Sequence, residues 1–121
     1  MSQLPTVVLS GVRKAALRAA SALHILIADG DDTSRSMREE QLRTAGFRVL
    51  VARTGFEAIV KASCHVPDVI LLDDSLRDIE ATETGRLLTT CPVTAHIPVV
   101  RLLHGKRLPQ RMLVRLRRAN A

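Results

Sequence analysis

Aromatic side chains are nearly absent from this sequence of 121 residues, which has two Phe and neither Trp nor Tyr. Modules that stack nucleic-acid bases need such rings, so nucleic-acid binding of that type is poorly supported. Cysteine is scarce as well. Cys64 and Cys91 build no disulfide framework, which favours a reducing compartment such as the cytoplasm, and neither has a base partner that would make it a nucleophile. No apolar run approaches the roughly 20 residues of a membrane span. There are no internal repeats or low-complexity tracts. The four histidines, His24, His65, His96 and His104, are scattered without a metal-ligand spacing, and structural or exposed positions are expected for them.

Acidic residues are missing from both ends. All twelve lie between Asp29 and Glu83, a stretch with seven basic residues and hence a net charge of −5. The flanks hold the other eleven basic residues and no acid. An acidic middle between basic ends means either that the ends dock on the body or are solvated, or that they meet an anionic partner. Arg111, Arg115, Arg117 and Arg118 form a basic face on the last predicted helix, near the carboxyl end that suits the helix dipole. The 46% apolar and 25% charged content is that of one globular domain.

Residues 1–22 read as an extension. From Gly11, Val12, Ala16, Ala19 and Leu23 fall on one side of a helical wheel and Arg13, Lys14 and Arg18 on the other. This predicts an amphipathic helix over Gly11–Leu23. It would pack on the body, or exchange between two copies to make a homodimer. A secretory signal fits badly, because the charges follow the short apolar run Thr6–Leu9 instead of preceding it.

The domain proper, 23–121, alternates in type. His24–Ala28 is a strand-length apolar run ending in the polar turn Asp29–Asp32. Asp32 or Thr33 can cap a helix to Ala45, stopped by Gly46. Arg48–Ala52 is a second strand, and Thr54 can cap the helix after it. Val69–Leu72 is the most apolar stretch and ends in Asp73-Asp74. A helix over roughly 81–90 follows, then a strand over Ile97–Leu103, then a last helix with Pro109 in its first turn. Strands apolar throughout and alternating with helices imply a parallel α/β sheet covered on both faces. The carboxyl ends of its strands share one edge, so the two acidic clusters converge there. Carboxylates held close together repel unless a cation or proton joins them, and Mg²⁺ suits a few oxygen ligands. Solvated turn and cap residues are the alternative.

Ile25–Asp29, Arg35, Gly46-Phe47, Ala52–Ala58 and Pro67–Asp73 occur in an order and at intervals that resemble the receiver domain of response regulators in two-component signalling, the CheY-like fold. The resemblance spans roughly residues 23–104. It implies a flavodoxin-like, three-layer, doubly wound sheet of four to five strands. It also implies a stand-alone module that is not an enzyme and signals by protein–protein contact. A histidine kinase or phosphotransfer protein would phosphorylate Asp73, and a downstream protein would read the result. Mg²⁺ would be held by Asp29, Asp73 and the Ser75 carbonyl, with Asp31 as a further candidate, and Lys106 would bind the phosphoryl oxygens.

The departures fall on that chemistry. Gly30 stands where a second acid of the pair is expected, and Leu103 where a hydroxyl is expected. Mg²⁺ binding is weak or absent if the loss at Gly30 is decisive. Arg77, Asp78 and Ala81 make the loop after the third strand atypical. Only 18 residues follow Leu103. Beyond residue 104 the domain is therefore atypical. Its end is either a fourth helix or a last helix displaced by deletion of a helix and a strand. The alternative function is a pseudo-receiver, a phosphorylation-independent interaction or dimerisation module.

Overall fold

The computed structural model describes residues 22–119. The elements run β1 (His24–Ala28), α1 (Asp32–Thr44), β2 (Arg48–Ala52), α2 (Gly55–His65), β3 (Val69–Asp73), α3 (Ala81–Thr90), β4 (Val99–Leu102) and α4 (Gln110–Ala119). Among the described residues the strands form one parallel sheet in the order β2-β1-β3-β4. Successive side chains of a strand face opposite sides. Ile25 and Ile27 therefore join Leu71, Leu42 of α1 and Leu113 of α4 in one cluster. Leu26 and Ala28 join Ile70, Leu72, Ala58 and Ala62 of α2 and Leu88 of α3 in the other. The expected three-layer doubly wound architecture is present, with four strands.

Local boundaries follow local chemistry. Asp31, not Asp32 or Thr33, caps α1, its carboxylate accepting from the Ser34 N–H at 2.9 Å. Thr54 caps α2 by accepting from the Glu57 N–H at 3.0 Å, as expected. β4 is shorter than the expected Ile97–Leu103, with Ile97, Pro98 and Leu103 outside it. Asp78, one of the loop departures, accepts from the N–H groups of Gly55 (2.8 Å) and Phe56 (3.2 Å). It thereby ties the loop after β3 to the start of α2. Gly55 itself allows a close approach, since a Cβ there would lie 2.5 Å from the Ile79 carbonyl oxygen.

The chain's end resolves one open alternative. Right-handed crossovers put α1 on one face and α2 and α3 on the other, because the chain turns left from β1 to β2 and right thereafter. A helix leading from β4 to a further strand beyond it would lie with α2 and α3. Instead α4 lies on the α1 face, where Leu108 and Leu113 are buried against Leu42 and Leu102. It holds the position expected of the displaced last helix.

The N-terminal helix expected over Gly11–Leu23 falls almost wholly outside the described residues. Its last residue, Leu23, is not helical. The Leu23 carbonyl accepts from the Arg48 N–H at 2.9 Å and continues the ladder of β1 and β2.

Val66 closes α2 at φ 44°, a left-handed conformation that crowds the Cβ of a β-branched residue. Val66→Gly should therefore raise the free energy of unfolding by about 1 kcal/mol in a urea titration. A loss of stability would show that Val66 packing outweighs its backbone strain.

Candidate functional site

The chain turns left after β1 and right after β2, so its topological switch point lies between β1 and β3. Ligands of open α/β sheets gather at such a point, outside the carboxyl ends of the strands. Asp29 follows β1 and Asp73 ends β3, and both are fully buried. The sheet thus brings the two carboxylates together, as the sequence predicts.

A cation stands between them. Arg38 rises from α1, is 1% exposed, and its Nη1 donates to Asp29 Oδ2 at 3.1 Å and to Asp73 Oδ2. Its Nη2 donates to the Leu103 carbonyl at 2.6 Å and its Nε to the Lys106 carbonyl at 2.8 Å. Arg35, also buried, donates to the Asp29 carbonyl at 3.1 Å and pairs with Asp32. The buried stripe of α1 is Ser34, Arg35, Arg38 and Leu42. Two arginines in that stripe are the sequence signal for the site. Sequence reasoning missed Arg38, because a charged residue on a helix is usually taken for its solvent face.

The other groups are held as tightly. Asp29 Oδ1 accepts from the Asp31 N–H (2.9 Å) and the Ser75 hydroxyl (3.1 Å). Asp29 Oδ2 accepts from the Ser34 hydroxyl (2.5 Å) as well as from Arg38. Asp73 Oδ1 accepts from the Ser75 N–H at 2.8 Å and lies 3.1 Å from His104 Nδ1. His104 covers the mouth of the pocket and is about half exposed. It is exposed, as the sequence leads one to expect, but its contact with Asp73 has no signal in residue spacing.

The remaining site candidates take different positions. Asp31 is spent on the α1 cap, with one oxygen 3.9 Å from His104 Nε2, and does not join the two buried carboxylates. Lys106 is exposed and forms no ion pair with either of them. Only its backbone carbonyl takes part, since among the described residues no strand lies beyond β4 to aim its ammonium at Asp73. Leu103 is exposed and likewise contributes a carbonyl.

Asp29, Asp73 and His104 each offer an atom within 4.8 Å of the others, a spacing that a metal ion could use. The donor chemistry argues the other way. Asp29 already accepts four hydrogen bonds, the full capacity of a carboxylate. No buried side-chain nitrogen or oxygen lacks a partner among the described residues. A Cβ on Gly30 would lie 2.7 Å from the Ser75 carbonyl oxygen, so the loop after β3 fills the place of a second acid. In this arrangement the residues do not fit a divalent ion.

Burial pushes the Asp73 carboxyl upward, but hydrogen bonds from Arg38, Ser75 and His104 outweigh it and hold the group below the usual carboxylate range. That contribution to stability is present above the ordinary carboxylate pKa and is lost as pH falls through the lowered value. His104 shifts the other way, raised chiefly by its hydrogen bond to Asp73. Its contribution is full below about pH 6.5 and is lost as pH rises through the raised value.

Two outcomes are expected. The His104 ring, followed by NMR, should titrate above the ordinary histidine value, and Asp73→Asn should bring it back toward that value. Titration at the ordinary value in the unsubstituted protein would count against the contact. Arg38→Met leaves two buried carboxylates without their cation and should lower the free energy of unfolding at neutral pH by about 3–5 kcal/mol in urea. A change below about 1 kcal/mol, the scale of exposed pairs, would show that Arg38 is solvated.

No protein-family model matches the chain. It is 26% identical over 76 residues to the polar-differentiation response regulator DivK of Brucella ovis, a match covering 63% of this chain and 62% of that protein. The chain thus spans less than two thirds of the curated relatives it matches. The N-terminal domain of a response regulator receiver protein from Methanoculleus marisnigri is 28% identical, with a TM-score of 0.65 over 74% of this chain and 72% of that one. The receiver domain of the sensor histidine kinase PA1611 from Pseudomonas aeruginosa, solved with magnesium in its active-site cleft, is similar in fold. It has 20% identity and a TM-score of 0.73 over 82% of this chain and 98% of that one. Among the described residues no helix is long and apolar enough to cross a membrane.

Proposed function

The chain is a CheY-like receiver domain of the response-regulator family, and from that premise we propose that it takes part in a phosphorelay by accepting a phosphoryl group on Asp73. The donor is a histidine kinase or a phosphotransfer protein. The modified domain is read by a downstream protein through surface contact, so the chain is a signalling module and not an enzyme. One observation carries this reading. Asp73 sits at the switch point as a carboxylate held ionised, with a buried guanidinium on Oδ2 and with Oδ1 facing the mouth under His104.

The chemistry follows from that placement. Asp73 Oδ1 attacks the phosphorus of a phosphohistidine. The new O–P bond forms as the P–N bond breaks, the electron pair returns to the ring nitrogen, and the imidazole, already protonated on its other nitrogen, leaves neutral. Phosphoryl transfer needs chiefly positioning and neutralisation of charge on oxygen. Arg38 supplies a fixed positive charge beside the acceptor. His104, about half exposed, moves off Oδ1 to admit the phosphoryl group and can donate a hydrogen bond to it. Leu103 has no hydroxyl to donate, so any switch in this chain does not run through a hydroxyl at that position.

A second reading has its own support. Asp73 is fully buried with both oxygens engaged, and the space at Gly30 is closed by the Ser75 backbone. These features favour a pseudo-receiver whose pocket stays in one state and whose surface acts without phosphorylation.

Intact mass after incubation with acetyl phosphate, and separately with a phosphorylated phosphotransfer protein, separates the two. Phosphoryl acceptance predicts one added phosphoryl group that hydroxylamine removes and that Asp73→Asn does not acquire. No incorporation from either donor would abandon acceptance on Asp73 in favour of the pseudo-receiver.

A further inference from the structure

We propose that Arg38 is the resident cation of this pocket, standing where the sequence resemblance places a divalent ion, so that the folded protein takes up Mg²⁺ only when Arg38 is removed. This role of Arg38 is independent of whether Asp73 accepts a phosphoryl group.

Two buried carboxylates cannot face each other without positive charge between them. A divalent ion is one solution and a guanidinium is another. Arg38 Nη1 reaches the Oδ2 atoms of both Asp29 and Asp73, which is the bridging contact a metal would have to make. The side chain is 1% exposed, and four donor contacts fix it, two of them to the Leu103 and Lys106 carbonyls. It is therefore a built part of the pocket and not a surface arginine that has folded inward.

The surroundings agree with this exchange. Gly30 removes one negative charge from the expected acidic pair, and the Ser75 carbonyl lies 2.7 Å from where a Cβ would stand. Asp31, the remaining candidate for that charge, is committed to the α1 cap. Two carboxylates then face the buried guanidinium of Arg38, while Arg35 beside them donates to the Asp29 backbone carbonyl and pairs with Asp32. A hard divalent ion needs several oxygen ligands. At this site it would meet fewer carboxylates than expected and a fixed positive charge on the oxygens it requires.

Among the described residues β4 is the outermost strand on its side of the sheet, so no strand there delivers a cation from the far side. α1 delivers one instead. Arg38 and Gln41, three residues apart and so on one helix face, grip the segment Leu103–Leu108 from the α1 side.

The test is a titration with MgCl₂ alone, without any phosphoryl donor, so its failure says nothing of phosphoryl acceptance. Amide shifts of Gly30, Asp73 and Ser75 are followed in the unsubstituted protein, Arg38→Gln and Arg38→Met, with Tm in parallel. The unsubstituted protein should show no saturable shift at ~20 mM Mg²⁺ and no change in Tm. Either variant should bind at least ~10-fold more tightly and gain Tm with Mg²⁺, since a ligand that binds only the native state stabilises it. A variant that is unfolded without Mg²⁺ should fold on its addition. Saturable millimolar binding by the unsubstituted protein would overturn the proposal. So would variants, folded or unfolded, that Mg²⁺ neither binds nor stabilises.

Discussion

The bridge from Arg38 to Asp29 and Asp73 is the contact on which the carboxyl edge of the sheet depends. Burying a charge costs several kcal/mol per ion, and attraction offsets that cost only where the remaining hydrogen bonds are made. Here they are made. The same guanidinium that separates the carboxylates also binds the carbonyls of Leu103 and Lys106, so one side chain joins α1, the ends of β1 and β3, and the segment leading to α4. Removing it would leave uncompensated charge at the centre of the domain and free the loop that positions its last helix.

This arrangement gives the sequence departures a common physical sense. The acid lost at Gly30 and the hydroxyl lost at Leu103 belong to an edge that a divalent ion and a further strand would otherwise organise. In this chain the Ser75 backbone closes over Gly30, the Ser75 hydroxyl and N–H hold Asp29 and Asp73, and His104 covers Asp73 from the solvent side. Asp78 stands in a loop where glycine is expected and fastens that loop to α2 through two backbone N–H groups. Both proposed modes of action start from the same pocket. They differ in whether Asp73 Oδ1 becomes available when His104 moves.

The segment after β4 shows how the α1 face of the described sheet is covered. Among the described residues nothing pairs with the outer edge of β4, and α4 lies on the α1 face, where Leu108 and Leu113 share a buried cluster with Leu42 and Leu102. The Gln41 side-chain amide meets both backbone groups of Leu108, at 3.2 and 2.8 Å. That is the service an adjacent strand would render. The outer surface of α4 keeps its arginines in solvent, in keeping with the basic face read from the sequence.

Much of this was legible before any coordinates. Apolar runs of strand length between capped helices determined the alternation, and the continuous apolarity of Ile25–Ala28 and Val69–Leu72 determined that the sheet is covered on both faces. The position of Asp29 and Asp73 at strand ends determined that they meet, because parallel strands share one carboxyl edge. Tertiary structure alone decided what lies between them. Lys106 is the cation the sequence suggests, yet its aim depends on a strand that is not found among the described residues. Arg38 was passed over because a helix face is assigned from average polarity, and a long cationic side chain can start on a core-facing position and end at a buried charge. Asp31, adjacent to the expected site in sequence, was drawn off by the unpaired N–H groups of α1. Periodicity encodes which elements form. The partner of a buried charge is set by distances between elements far apart in the chain, and those exist only once the sheet has assembled.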